Sequence, residues 1–214
     1  VVNNLTTPTS CNGGNNGTAD IDAQGGTLPY SYDWAPGGIL SANRINLQAG
    51  NYDVTVTDSK GCTEITTAIV SEPSAVAGTL TPTDATCFGG TNGSADIVAN
   101  GGTAPYTFLW NDGSAGTQLS NIIAGTYTVT ISDNNGCTQQ ETVIVGEATA
   151  INLIVNATDA SCGNANGSAQ VNGNGGTGAL TYQWSTGTPG TSIINLSSGA
   201  YTVIATDANG CTAS

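Results

Sequence analysis

The chain has no histidine and no methionine, and its only cations are Lys60 and Arg44. Without histidine the usual pairs of nucleophile and base are missing, and the many Ser and Thr hydroxyls have no evident activating base. Fifteen acidic residues against two basic ones give a net charge of −13. Such a chain repels phosphate, so nucleic acid and anionic membrane are poor partners and neither is expected. No apolar run reaches the length of a membrane span, so membrane insertion is not expected either. The opening "VVNNLTTPTS" lacks the basic segment and apolar core of a signal peptide, and the expectation is a sequence that starts after processing or inside a longer chain. Charged residues are 8% of the total, yet 38% are hydrophobic and fall in alternating runs, which argues for packed strands over disorder.

What is present is repetition. "AGNYDVTVTDSKGC" (49–62) returns as "AGTYTVTISDNNGC" (124–137) and "SGAYTVIATDANGC" (198–211). Upstream of each copy lies a second shared block, "CNGGNNGTADIDAQGGTLPYSYDW" (11–34), "CFGGTNGSADIVANGGTAPYTFLW" (87–110) and "CGNANGSAQVNGNGGTGALTYQW" (162–184). The period of 74 to 76 residues is too long for a solenoid repeat and suits a small domain. Three tandem domains are expected, at 1–73, 74–148 and 149–214.

Each repeat holds two cysteines, 51, 50 and 49 positions apart. An even count at a fixed place reads as one disulfide per domain in an oxidising compartment, pairing Cys11 with Cys62, Cys87 with Cys137 and Cys162 with Cys211. Closing a loop of about 50 residues would stabilise each domain by roughly 4 kcal/mol. Pairs between repeats would instead speak against three separately closed domains. A zinc site is the rival, and two thiols per repeat with no histidine and no CxxC leave it unsupported.

No segment sustains a helical period. "TYTVTISD" (126–133) puts Tyr127, Val129 and Ile131 on one face of a strand, and "DNNG" turns it, with Asp133 first and Gly136 last. "TQQETVIVGE" (138–147) is the returning partner; "GTLTPTDAT" (78–86), "GSADIVAN" (93–100) and "YTFLWNDG" (106–113) are further strands. Short strands with turn signals every 8–12 residues predict an all-β fold of three immunoglobulin-like antiparallel sandwiches. Trp34, Trp110 and Trp184 stand where such a sandwich keeps a large core ring, and Tyr52, Tyr127 and Tyr201 follow a glycine at a strand start, as in a tyrosine corner. The alternative for these aromatics is an exposed sugar-stacking platform.

The order C-x-G-(x)-x-N-G, GGT-x-PY-x-x-x-W, L-x-x-G-x-Y-x-V-x-x-x-D-x-x-G-C and a strand ending in "EP" resembles the SprB-type repeat of Bacteroidota surface adhesins. More distantly, the "GGT…PY…W" and "AGTYTV" segments resemble polycystic-kidney-disease-type and bacterial immunoglobulin-like domains. The first resemblance implies a secreted, cell-surface protein of the kind exported by the type IX route and associated with gliding motility. Repeat 3 departs from the pattern, writing "GGTGALTY" for the "PY" form and losing one residue after Cys162.

Candidate chemistry is sparse. Asp20 and Asp22 share a strand face, but the other repeats carry Asp96 with Val98 and Gln170 with Asn172, so a solvated face is the better reading than an acid–base pair. The GG and NG pairs serve hairpins and lack the helix that phosphate binding requires. The chain is therefore read as a non-enzyme. If the expected disulfides form, Asp84 approaches Asp133, and Asp159 approaches Asp207. The leading reading is that each Asp only initiates its turn and no cofactor is needed; the alternative is that two carboxylates with turn carbonyls begin a calcium site. Six N-x-S/T sequons, at Asn4, Asn16, Asn92, Asn156, Asn166 and Asn195, arise readily in such a composition, and three coincide with the NG turns.

Short linkers, "SEPSAV" and "GEATAI", leave little slack, so an extended stalk is expected. The function this implies is a structural segment of a secreted adhesin or filament, with further copies of the repeat or neighbouring subunits as head-to-tail partners. A glycan-binding module, with surface polysaccharide as partner, is the alternative. Repeats 1 and 2 continue past their second cysteine with "TEITTAIVSEP" and "TQQETVIVGEA", whereas repeat 3 reads "CTAS", so its closing strand is expected from a longer array or a neighbouring subunit.

Overall fold

A computed structural model describes residues 1–35 and 37–214. Among these the chain is strand and loop only, and no helix is long and apolar enough to cross a membrane. Repeat 1 forms β1 (Val2–Thr7), β2 (Gly17–Ala23), β3 (Ser31–Ala35), β4 (Asn43–Leu47), β5 (Gly50–Thr57) and β6 (Thr63–Val70). Repeat 2 forms β7 (Ala77–Thr83), β8 (Gly93–Asn100), β9 (Thr107–Trp110), β10 (Gln118–Ile122), β11 (Gly125–Ser132) and β12 (Thr138–Val145). Repeat 3 forms β13 (Asn152–Thr158), β14 (Gly167–Asn174), β15 (Thr181–Trp184), β16 (Ser192–Leu196), β17 (Val203–Thr206) and β18 (Thr212–Ala213).

Strands pair within repeats, giving six three-stranded sheets. Their orders are β1-β2-β4 with β3-β5-β6, β7-β8-β10 with β9-β11-β12, and β13-β14-β16 with β15-β17-β18. By compactness the chain divides into two units. One is Val1–Thr79 with Val98–Leu109 and Val129–Glu141; the other is Leu80–Ile97 with Trp110–Thr128 and Thr142–Ser214.

In repeat 1 both sheets feed one core. Ala19 and Ile21 of β2 and Leu47 of β4 meet Trp34 of β3, Val54 and Val56 of β5, and Ala68 and Val70 of β6. This is the period-2 pattern of strands buried on one face. Repeat 3 assembles Ala169, Val171, Ile193 and Leu196 against Trp184 and Val203 in the same way. Its second sheet is shorter, because β17 has four residues where β5 and β11 have eight, and β18 pairs only Ala213 with Ala205 and Thr212 with Thr206. A hollow of about 570 Å³ lies there, lined by Trp184, Leu196 and Tyr201 among others.

The fourth strand of each repeat, β4, β10 or β16, is short and irregular. Asn46, Asn121 and Asn195 adopt φ of 59°, 58° and 58°, and each sits at the register shift where the strand meets Gly17, Gly93 or Gly167. Asparagine tolerates this left-handed conformation better than other non-glycine residues, which fits a β-bulge. The glycine opposite is required for space. A Cβ on Gly93 would stand 2.8 Å from Val145 Cγ1 and 2.9 Å from the Ile122 carbonyl oxygen.

The disulfides correct the expectation. Cys11 is bonded to Cys137 and Cys87 to Cys211, at Cα separations of 5.7 and 5.6 Å, while Cys62 and Cys162 are free and exposed. The pairs Cys11–Cys62, Cys87–Cys137 and Cys162–Cys211 do not form. The first cysteine of one repeat takes the second cysteine of the next, so the repeats are not separately closed. Equal spacing in the sequence is satisfied as well by a shift of one repeat as by none.

Candidate functional site

The bond between repeats is built from two loops, each held rigid by its own repeat. The second cysteine sits at the end of an Asp-led turn. Asp133 Oδ2 accepts the Thr103 N–H at 2.8 Å, and its Oδ1 accepts the N–H groups of Asn135 and Cys137 at 2.9 and 2.8 Å. Asp207 repeats this with Thr177, Asn209 and Cys211, and Asp58 with Thr27, Lys60 and Cys62. Burial raises the Asp133 carboxyl, but the N–H donors of Thr103, Cys137 and Asn135 outweigh it and hold the group below the usual carboxylate range. The Thr177 N–H chiefly holds Asp207 low, and the Cys62 N–H chiefly holds Asp58 low.

The first cysteine lies in a loop braced by an asparagine side chain. Asn16 Oδ1 accepts the Ser10 N–H at 2.9 Å while its Nδ2 donates to Ser10 Oγ at 2.8 Å. Asn92 does the same with Thr86, and Asn166 with Ser161. A carboxylate from the end of the repeat closes the loop from the other side: Glu72 Oε2 accepts from Gly13 N–H, and Glu147 Oε2 from Gly89 N–H, both at 2.6 Å. Asn12 Nδ2 also donates to the Pro73 carbonyl.

Where the loops meet, Asn135 Nδ2 donates to the Ser10 carbonyl at 3.0 Å and Asn209 Nδ2 to the Thr86 carbonyl at 3.3 Å. The linker takes part as well. The Gly102 N–H donates to Ser74 O and the Gly176 N–H to Thr149 O. A Cβ on Gly101 or Gly175 would overlap the carbonyl oxygen of Ala75 or Ala150. The result is a covalent staple seated on a polar, shape-matched joint.

The remaining sequence candidates fall elsewhere. Trp34, Trp110 and Trp184 are 1–2% exposed, and their indole N–H groups donate to the carbonyls of Ser41, Gly116 and Gly190. Tyr52, Tyr127 and Tyr201 donate their hydroxyls to carbonyls four residues upstream, at Gln48, Ile123 and Ser197. Asp84 Oδ1 accepts the Gly146 N–H at 2.7 Å. The approach of Asp84 to Asp133 and of Asp159 to Asp207 was inferred from disulfides within repeats, and those do not exist. Among the described residues no three His, Cys, Asp or Glu side chains gather as metal ligands.

Several working residues were not singled out from the sequence. Glu72 and Glu147 stand out in the sequence only as linker letters, Asn135 only as part of the "DNNG" turn, and Asn209 not at all. The signal available was their identical place in both complete joints. Arg44 was read only as charge. It occupies the place held by the buried Leu119 and Ile193, since all three face the equivalent Ala19, Ala95 and Ala169. Its guanidinium lies 4.9 Å from the Tyr52 ring and 5.9 Å from Trp34, with Nη1 buried and unpartnered.

One family model matches the chain three times. The SprB repeat matches residues 3–38, 79–115 and 154–189, together just over half of the sequence. The chain belongs to the SprB repeat family. No protein with a curated description matches these SprB repeats. Among solved structures, the N-terminal eight Ig domains of Down syndrome cell adhesion molecule are similar at 16% identity and TM-score 0.42, covering 85% of this chain. The chain spans 31% of that structure's length. A three-Ig segment of titin is similar at 14% identity and TM-score 0.39, covering 97% of this chain and 94% of the titin segment.

Proposed function

We propose that this chain is a load-bearing structural segment of a secreted cell-surface adhesin or filament, and that it catalyses nothing. The observation that carries the reading is the overlap of the two staples. Cys11–Cys137 and Cys87–Cys211 interlock along the chain, so segments 11–87, 87–137 and 137–211 all run between the same two covalent nodes. Tension applied at the ends is shared by three stretches of polypeptide in parallel. Disulfides persist in oxidising surroundings, which supports the extracellular address and, with the SprB repeats, the gliding and type IX associations. The glycan-binding alternative needs accessible indoles, and the three indoles are buried.

Pulling single molecules from both ends tests this. Limited by the shortest segment, the oxidised chain should extend to roughly 220 Å, against roughly 750 Å once reduced, at about 3.5 Å per residue. An oxidised chain that extends to the reduced length would remove the reading. Retention on a polysaccharide column by the folded chain would favour the alternative.

A further inference from the structure

Segments 11–87, 87–137 and 137–211 run in parallel between Cys11–Cys137 and Cys87–Cys211. A backbone cut in any one of them leaves both ends of the chain joined through the other two, and only a cut in each of the three parts the ends. The covalent topology therefore tolerates a nick, and one peptide bond in segment 11–87 stands open to it. We propose that Leu40–Ser41 is a processing site for a secreted endoprotease that takes a large apolar side chain before the scissile bond, and that the cut chain stays covalently continuous.

Such a protease needs an exposed apolar side chain outside the strands, followed by a bond that neither its carbonyl nor its N–H ties down. Among the described residues Leu28, Ile39, Leu40, Phe88 and Ile123 are the large exposed apolar side chains that lie between strands. The bond after Leu28 leads to Pro29, whose fixed φ and missing N–H make it a poor scissile bond. After Phe88 the leaving N–H, that of Gly89, is held by Glu147 Oε2. The carbonyl of Ile123 accepts the Tyr127 hydroxyl, and that of Ile39 accepts the Trp34 N–H. Leu40 is 75% exposed, and among the described residues its carbonyl and the Ser41 N–H make no hydrogen bond. Just before it, Gly37 and Gly38 have φ of 129° and 57°, and a Cβ on either would meet nothing within 4 Å, so the turn stands clear of the strands. The feature is peculiar to repeat 1. The carbonyls of Ser114 and Thr188 accept from Trp110 and Trp184 as that of Ile39 does from Trp34, so Leu40 corresponds to Ala115 and Pro189, in loops one residue shorter.

Hydrolysis adds one water across the bond, leaving a carboxylate on Leu40 and an ammonium on Ser41. Strands β1, β2 and β3 then lie on one piece and all the others on the second, and Cys11–Cys137 is the covalent link between the pieces. The extension limit is unchanged at roughly 220 Å, because the shortest segment, 87–137, is not cut. Continuity after the cut rests on the staple reading; the position of the cut does not.

The test digests the whole chain, with its two native disulfides intact, using dilute chymotrypsin, a protease of that specificity. The first product should weigh one water more than the intact chain and run as a single band on a denaturing gel without reductant. Reduction should part it into 1–40 and 41–214. L40A should slow this cut at least tenfold, L40P, which places there the residue found in repeat 3, should abolish it, and L28A should leave its rate unchanged. In C11S/C137S the same cut should release 1–40 without reductant. A first cut elsewhere, or an unchanged rate in L40A, overturns the site and leaves the staples untouched. Release of 1–40 from the wild type without reductant overturns the continuity and the staple reading together.

Discussion

Asn135 donates its side-chain Nδ2 to the carbonyl oxygen of Ser10 across 125 residues of sequence, beside the bond that joins Cys11 to Cys137. The hydrogen bond and the disulfide share one purpose, which is to fix the joint and not the repeat. Non-reducing peptide mapping should therefore recover Cys11 with Cys137 and Cys87 with Cys211. In C11S/C137S, the closure of a loop of 126 positions is lost, and the unfolding free energy should fall by about 2–5 kcal/mol. N135A leaves the staple in place and should cost only about 0.5–1 kcal/mol by denaturant titration.

Acid should loosen the same joints. Asp58, Asp133 and Asp207 all have carboxyls held low in the folded state by backbone N–H donors. A depressed folded value means that the ionised form favours folding. The stabilisation is complete above the unfolded value of about 3.9 and is lost as pH falls through the folded values. Melting temperature should be flat from about pH 5 upward and fall below about pH 4. D133N should be less stable at pH 7 and show a shallower acid decline; an unchanged acid profile would show that these turns do not set it.

Arg44 offers a prediction of opposite sign. Its equivalents Leu119 and Ile193 are buried, whereas Arg44 leaves Nη1 buried without a partner. A buried unsatisfied donor costs about 1–3 kcal/mol, and the two ring contacts return only part of that. R44L should raise stability by about 1 kcal/mol in thermal unfolding. A loss would mean that the stacking on Tyr52 and Trp34 outweighs the unpaired nitrogen.

The strands and the buried tryptophans were legible because they are local matters of alternation, turn residues and ring size. Asp133 as a turn opener was legible for the same reason, and Gly136 N–H does donate back to Asp133 O. The cysteine partners were not legible. Six cysteines allow 15 pairings, and a strict repeat makes pairing within and between repeats equally regular. The contact of linker residues 74–76 with Gly101 and Gly102, and of 149–151 with Gly175 and Gly176, lies between distant segments and leaves no local pattern to read. The fourth strands β4, β10 and β16 were hidden for a different reason. Each has five residues and is interrupted by an asparagine bulge, so alternation never becomes established. Asn16, Asn92 and Asn166 looked like turn formers or glycan acceptors, yet their amides brace the cysteine loops.

The repeats supply their own control for the last prediction. Gly25, Gly101 and Gly175 occupy one position in three copies, with φ of 85°, 69° and 87°. Alanine at any of them carries the left-handed penalty of about 1–2 kcal/mol. At Gly101 and Gly175 the new Cβ also overlaps the carbonyl of Ala75 or Ala150, so the linker must move off the glycine loop. At Gly25 nothing lies within 4 Å. G25A should therefore cost about 1–2 kcal/mol, whereas G101A and G175A should cost more and slow formation of the neighbouring staple during oxidative refolding. Thiol trapping through refolding reads this directly: in G101A the Cys11–Cys137 bond should lag behind Cys87–Cys211, and in G175A the order should reverse. Equal lag of both bonds, or the same cost at all three glycines, would show that linker docking does not guide the pairing.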